Sequence, residues 1–82
     1  MNPDMIAITR RLLELASELI DDQTLQDDAL DIPLTELGLD SLMALELAVY
    51  LEREFGIRLT EDELGRIANL RDILDIIERK RG

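Results

Sequence analysis

Apolar residues recur at helical spacing in three separate stretches of the chain. Within each stretch they follow the three- and four-residue steps that place side chains on one face of an α-helix. A helix with one apolar face is stable when that face packs against another element, so three such stretches favour a small bundle. The three apolar faces are formed by Met5, Ile8, Leu12, Leu15, Ala16 and Leu19, by Ala44, Leu47, Ala48, Leu51 and Phe55, and by Leu70, Ile73, Leu74 and Ile77.

Local signals at the ends of these stretches indicate where the helices begin and end. Asn2 and Pro3 suit the cap and the first residue of a helix. Gly56 readily takes a positive φ just past the end of the second helix. Thr60 and Glu63 match a capping box, which predicts one additional short helix. The sequence therefore predicts an all-α fold, a four-helix bundle of three main helices and one short helix, at about residues 3–20, 41–55, 61–67 and 70–80.

The connection between the first two helices, Asp21 to Asp40, is long and has no helical periodicity. Loops of this length are uncommon in compact domains and are usually functional. Pro33 disfavours helix at Ile32, and Thr35–Leu37 is long enough for one short turn. Apolar residues recur through the connection, which predicts that it packs over the bundle; they are Leu25, Leu30, Ile32, Leu34, Leu37 and Leu39.

The size and composition of the chain limit what it can do. Its 82 residues are expected to form one domain, residues 1–82. Aromatic residues make up only 2% of it, so the core must be aliphatic, and we hypothesise that such a core can part to admit a chain. The sequence contains no cysteine, which excludes disulfides and thiolate metal sites and fits a cytoplasmic location. No apolar run approaches the roughly 18 residues of a membrane span.

The charge of the chain is strongly acidic and unevenly distributed. The net charge is −10, and eleven acidic residues but no basic ones lie between Arg11 and Arg53. Nucleic acid is therefore not an expected partner, because binding phosphate backbones needs lysine and arginine. Proteins with basic patches are the expected partners, and the chain itself is expected to be a monomer. Asp27–Asp31 lacks the glycine and the final glutamate of an EF-hand loop, so no metal site is predicted.

Asp40 and Ser41 stand at the predicted start of the second helix. Asp40 suits the N-cap, which leaves Ser41 in the first turn with an exposed hydroxyl. The chain has no histidine and does not match the nucleophile-elbow pattern, so Ser41 is not expected to be a catalytic nucleophile. A helix N-terminus does suit an attached phosphate, because its free N–H groups and the helix dipole favour negative charge.

The side of this helix opposite its core face carries Leu42, Glu46, Val49 and Arg53, with Tyr50 at its edge. One interpretation is that these apolar residues are scattered exposed side chains of the kind that most proteins have. The other is that Leu42 and Val49 form the dry centre of a docking face that is ringed by charge. Spacing alone does not decide between the two interpretations.

The run Gly38–Leu42, followed by Met43–Leu47, resembles the attachment motif of acyl carrier proteins. The similarity extends from about Leu34 to Ile77, and is supported by Glu46, Glu52, Phe55-Gly56 and Thr60–Leu64. It implies that Ser41 carries a 4′-phosphopantetheine arm whose thiol holds acyl groups as thioesters. A phosphopantetheinyl transferase would install the arm from coenzyme A, and Asp40 would help that transferase and its metal ion to engage the site.

The resemblance also implies a function and its partners. The chain would be a free-standing acyl carrier protein of fatty-acid, polyketide or related acyl biosynthesis, and not an enzyme. Leu42, Glu46, Val49 and Glu52 would dock acyl-loading, condensing and acyl-transfer enzymes that carry basic patches. Arg53 departs from the acidic residue of well-studied fatty-acid carriers, which leaves the pathway open. The alternatives are an aminoacyl or peptidyl carrier of nonribosomal synthesis and a non-covalent helical adaptor.

Overall fold

The computed structural model describes the backbone of residues 3–21 and 25–81, and the side chains of residues 5–21 and 25–80. These ranges contain five α-helices and one 3-10 helix, and no β-strand. The all-α class predicted from the sequence is confirmed, whereas the predicted cap at Asn2 lies outside the described residues. In chain order the elements are α1 (Pro3–Leu19), the 3-10 helix (Asp27–Asp31), α2 (Leu34–Leu37), α3 (Ser41–Phe55), α4 (Glu61–Leu64) and α5 (Leu70–Arg81).

The core is built where the apolar faces of the three long helices α1, α3 and α5 meet. Burial of these aliphatic side chains is the main favourable contribution to folding in a domain this small. Met5, Leu19 and Phe55 are only partly buried and pack at its margin, and Leu13 is buried although the helical spacing did not predict it. The largest fully buried side chains are Ile8, Leu12, Leu47, Leu51, Leu70, Ile73 and Ile77.

The long first connection packs over the bundle, as its recurring apolar residues predict. Leu30, Leu34 and Leu39 are buried, in or next to the 3-10 helix and α2. Ser17 of α1 holds the beginning of this segment: its hydroxyl donates to the Leu13 carbonyl at 2.7 Å and accepts from the Leu25 N–H at 2.7 Å. Ser17 is the only polar side chain in the buried core of the described residues, so this pair of hydrogen bonds satisfies the hydroxyl away from water.

The same connection is also tied to the segment between α4 and α5. The Leu34 N–H, at the start of α2, donates to the Ala68 carbonyl at 2.9 Å. The Ala68 N–H donates to the Asp72 carboxylate at 2.8 Å, while the Asp72 N–H donates to the Asn69 side chain at 2.9 Å. Asn69 is therefore the N-cap of α5, and the Leu34–Ala68 hydrogen bond joins the two connections beside the start of α3.

α4 is a single turn that is held mainly by polar contacts. The predicted capping box is present, with Glu63 N–H donating to Thr60 Oγ1 at 3.2 Å and Thr60 N–H donating to Glu63 Oε1 at 2.8 Å. Lys80 of α5 lies 2.9 Å from the same Glu63 oxygen. The Thr60 backbone bond first, and then the Lys80 bond, hold the pKa of Glu63 below its ordinary value of 4.5.

Three helix ends differ from the predicted boundaries. The predicted helix 61–67 ends at Leu64, because Gly65 disfavours helix and the chain continues as a tighter turn in which Arg66 N–H donates to the Glu63 carbonyl at 3.1 Å. α1 ends one residue earlier than predicted, at Leu19, and α5 extends one residue further, to Arg81. One additional α-helix, α2, lies where only a short turn was expected.

Replacing Gly56 with alanine is expected to destabilise the fold by about 1 kcal/mol, because φ is +69° there and a side chain strains the backbone in this region. No atom lies within 4 Å of the added methyl group, so the backbone is the whole cause. Gly65→Ala is the matched control: Gly65 has φ −70° and ψ −12°, and alanine there is expected to be neutral or slightly stabilising. Urea unfolding of both variants measures the difference, and equal midpoints would contradict it.

Candidate functional site

A tight sequence of turns places Ser41 at the surface. Gly38 ends α2 in the left-handed conformation, with φ 88°, and its N–H donates to the carbonyls of Leu34 and Thr35. The chain then passes through buried Leu39 and extended Asp40 before α3 begins. Glycine accepts this positive φ without strain, so the turn can reverse the chain within three residues.

Asp40 is the N-cap of α3, as predicted. Its Oδ1 accepts a hydrogen bond from the Met43 N–H at 2.9 Å. Ser41 is the first residue of the helix and its side chain is exposed. The first N–H groups of a helix lack partners within the helix, and the dipole adds partial positive charge there. A phosphate ester on the Ser41 oxygen would therefore lie in a favourable field.

Beside Ser41 lies a cleft with a volume of about 690 Å³. One wall is formed by the start of α3 and the other by α4 and the segment that follows it, with α2 closing one end. Glu61, Thr35 and Asp40 supply polar groups at the rim of a mainly apolar surface. The residues that line the cleft are Pro33, Leu34, Thr35, Leu39, Asp40, Ser41, Ala44, Leu45, Glu61, Leu64, Gly65, Ile67 and Ala68.

The outward face of α3 is apolar along much of its length. Leu42 is 66% exposed, Val49 46% and Tyr50 41%. Sequence reasoning missed Leu45, which is 43% exposed and also lines the cleft beside Ser41. At about 100° per residue, Leu45 falls between Ser41 and Leu42 around the helix, so the spacing that identified the other residues could have found it. The exposed apolar residues thus form one continuous stripe that begins at Ser41.

Acidic side chains flank this stripe. Glu46 and Glu52 are both exposed on α3, on opposite sides of the apolar residues. Glu54 belongs to a different contact, since its carboxylate accepts from Arg11 Nε at 2.9 and 3.0 Å and thereby ties α3 to α1. This hydrogen bond with Glu54 is the main cause that raises the pKa of Arg11 above its ordinary value. The predicted docking residues Leu42, Glu46, Val49 and Glu52 are therefore brought together on one accessible surface.

Two other kinds of site, a metal centre and a membrane-spanning helix, are absent from residues 3–21 and 25–81. In these ranges, no cluster of three or more potential ligands drawn from His, Cys, Asp and Glu could hold a metal ion. No helix in the same part of the chain is both long and apolar enough to cross a membrane. The candidate site of the described residues therefore consists of the exposed Ser41, the cleft beside it and the outward face of α3, which carries both apolar and acidic side chains.

Comparison with known proteins identifies the family to which the chain is similar. A family model described as a phosphopantetheine attachment site matches residues 10–77. The actinorhodin polyketide synthase acyl carrier protein of Streptomyces coelicolor is 37% identical over 70 residues, covering 85% of this chain and 80% of that protein. The polyketide-8 synthase acyl carrier protein 2 of Streptomyces avermitilis is 40% identical, covering 88% and 83%.

A solved structure is similar along nearly the whole chain. The acyl carrier protein of Thermotoga maritima superposes with a TM-score of 0.77 at 28% sequence identity, covering 94% of this chain and 89% of that one. The arrangement of three long helices with a long first connection is therefore shared with a known carrier.

Replacing Asp40 with alanine is expected to destabilise the protein by about 1 kcal/mol, because the Met43 N–H loses its acceptor. Asp40→Asn is the matched variant, since asparagine caps helices about as well as aspartate. Thermal unfolding monitored by circular dichroism compares the two. If the asparagine variant lost as much stability as the alanine variant, the carboxylate would matter through its charge and not through the cap.

Proposed function

This chain belongs to the phosphopantetheine-attachment family of acyl carrier proteins, and on that premise we propose that Ser41 is its attachment residue. As a member of this family, the protein is a carrier and not an enzyme, and its cofactor is 4′-phosphopantetheine. When attached, the cofactor supplies a terminal thiol that holds an acyl group as a thioester. The chain has no cysteine of its own, so the thiol must come from outside the sequence.

The exposed position of Ser41 at the start of α3 is the observation that carries this proposal. Attachment forms a bond from Ser41 Oγ to phosphorus of coenzyme A and releases the adenosine bisphosphate, while the hydroxyl proton passes to a base of the transferase. Ser17, the other serine of the chain, is buried and hydrogen-bonded on both sides. Asp40, which caps the same helix, would help the transferase and its metal ion to engage the site.

The cleft beside Ser41 would give the arm or its cargo a surface to lie on. Its walls include Leu39, Ala44 and Leu64, and it is open to solvent along α4. The sequence suggested that the core itself parts, but the centre of the bundle is closely filled, with Leu47 and Leu51 fully buried. An acyl group near the serine would therefore meet the cleft before it met the core.

The carrier would act by tethering its cargo. An arm that is fixed at one end raises the effective concentration of the thioester at each enzyme that docks nearby. Those enzymes are the acyl-loading, condensing and acyl-transfer enzymes of one pathway. A phosphopantetheinyl transferase docks before them, to install the arm, and each of these partners carries a basic docking patch. Leu42 and Val49 would supply the dry contact, and Glu46 and Glu52 the attraction.

Within acyl metabolism we favour a polyketide-type pathway. The two Streptomyces relatives that match most of the chain are both carriers of polyketide synthases by name. Fatty-acid synthesis remains the alternative, since carriers of both kinds share the attachment site. We further propose that the protein works as a monomer in the cytoplasm, where coenzyme A and its transferase are found.

Ser41→Ala is expected to abolish loading by a phosphopantetheinyl transferase and to leave the helices intact, because it removes the hydroxyl to which the arm is attached. Incubation with the transferase and coenzyme A, followed by intact mass measurement, gives the result directly. Thr35→Ala is the matched control: this hydroxyl is also exposed and lines the same cleft, and its loss should leave loading unchanged. A mass gain in the Ser41 variant, or none in the wild type, would overturn the proposal.

Reversing the charge of Glu46 and Glu52 together is expected to lower the kcat/KM of loading by about tenfold or more at low salt, through weaker association with a basic partner. Added salt should lower the kcat/KM of the wild type and reduce the difference in kcat/KM between the wild type and the variant. Stopped-flow or fluorescent coenzyme A assays measure this. The matched control reverses two exposed acids on other helices, Glu18 of α1 and Glu78 of α5, and an equal effect there would show only a response to net charge.

A further inference from the structure

The outward face of α3 contains one positive charge among its acidic and apolar residues. Arg53 lies on the same stripe as Leu42, Glu46 and Val49, at helical steps of three and four residues. At 1.5 Å per residue it is about 18 Å along the helix axis from Ser41. Its side chain is exposed. It is also the first basic residue after Arg11 in the sequence, so it interrupts a long acidic stretch inside the predicted docking face.

The contacts within the described residues do not account for Arg53. The four ion pairs found in residues 5–21 and 25–80 use Arg11, Arg71 and Lys80 as their cations, and none involves Arg53. The remaining structural role is a favourable interaction with the helix dipole, since Arg53 stands in the last turn of α3. That role would be filled equally well on any side of the helix, and it does not explain a position on the exposed stripe.

We infer that Arg53 is a specificity contact, which pairs with a carboxylate on the surface of the enzyme that loads Ser41. The inference rests on the proposed function, because it takes the outward face of α3 as the docking face. Stable protein interfaces cover about 800 Å² on each partner, which is a disc about 32 Å across. An enzyme centred on the exposed half of α3 therefore covers both Ser41 and Arg53.

Charge complementarity selects the kind of partner. A uniformly basic surface would be attracted by Glu46 and Glu52 but repelled by Arg53. A surface that is basic opposite the two glutamates and acidic opposite Arg53 is attracted at every one of these positions. Like charges brought together at an interface disfavour wrong partners, in addition to the attraction that selects the right one. Arg53 would therefore distinguish the carrier's own enzyme from other enzymes with basic patches.

The test compares Arg53→Glu and Arg53→Gln with the wild type in loading by the phosphopantetheinyl transferase of the same host, with coenzyme A at low salt. The glutamate variant should lose about threefold to tenfold in kcat/KM, mainly through KM, and the glutamine variant should lose less. Added salt should remove most of the difference. The sign is diagnostic, because adding negative charge to an acidic carrier would otherwise speed its association with a basic enzyme.

Arg10→Glu is the matched control, since Arg10 is exposed on α1 and also takes no part in the four ion pairs. This reversal changes the net charge equally and should not lower the rate. Thermal unfolding of each variant separates a loss of the dipole contact from a loss of docking. An unchanged or faster rate for Arg53→Glu would overturn the inference. Failure of the wild type to be loaded at all would instead overturn the proposed function, so the two failures are distinguishable.

Discussion

The burial of Leu47 and Leu51 at the centre of the bundle fixes how α3 is rotated about its axis. Both side chains are fully buried, in one core cluster that also contains residues of α1 and α5. When one face of a helix is fixed in the core, the helix cannot rotate about its axis, so the residues on its opposite face are fixed as well. Once these leucines are packed, Leu42 and Val49 must point outward and Ser41 must lie at the edge of the cleft. The accessibility of the serine is thus a consequence of core packing.

The position of the cleft depends on a second constraint, the mutual anchoring of the two irregular segments. The Leu34–Ala68 backbone hydrogen bond joins the first connection to the α4–α5 connection. An ion pair between Asp31 and Arg71 also joins the first connection to the first turn of α5, and the hydrogen bond from Arg71 keeps the pKa of Asp31 below its ordinary value. Each segment alone would be a mobile loop, but together they form one side of the cleft. The surface beside Ser41 is therefore built from chain segments that are distant in sequence.

Features governed by local sequence could be predicted. The N-cap at Asp40, the capping box at Thr60 and Glu63, and the left-handed Gly56 all follow from interactions within four residues. The apolar faces of the three long helices could be predicted because, along each helix, the helical spacing of the apolar residues matches the pattern of burial. Ser41 was predicted to be the attachment residue from its motif and its place at a helix start, and only that place is a feature of the structure.

Features that depend on contacts across the fold could not be predicted. Ser17 reads as an ordinary polar residue of α1, and its burial makes sense only once Leu25 lies across it. The Arg11–Glu54 pair joins residues 43 positions apart. The spacing of residues along the sequence therefore could not predict that these two side chains meet. α2 forms where Pro33 and the contact with Ala68 fix its first turn. The cleft itself is a product of such contacts, so its lining was invisible in the sequence.

One wall of the cleft is much less firmly held than the other. α4 has no buried residue: Leu64 packs against the core only partly buried, the capping box lies within α4 itself, and the ion pair of Glu63 with Lys80 of α5 lies near the surface. Solvent-exposed ion pairs contribute little free energy, and segments with few buried apolar contacts open locally long before the whole protein unfolds. Amide protons on this side should therefore exchange with solvent sooner than those of α3. The cleft next to Ser41 can therefore widen by local opening of α4, while α3, which carries Ser41, keeps its position.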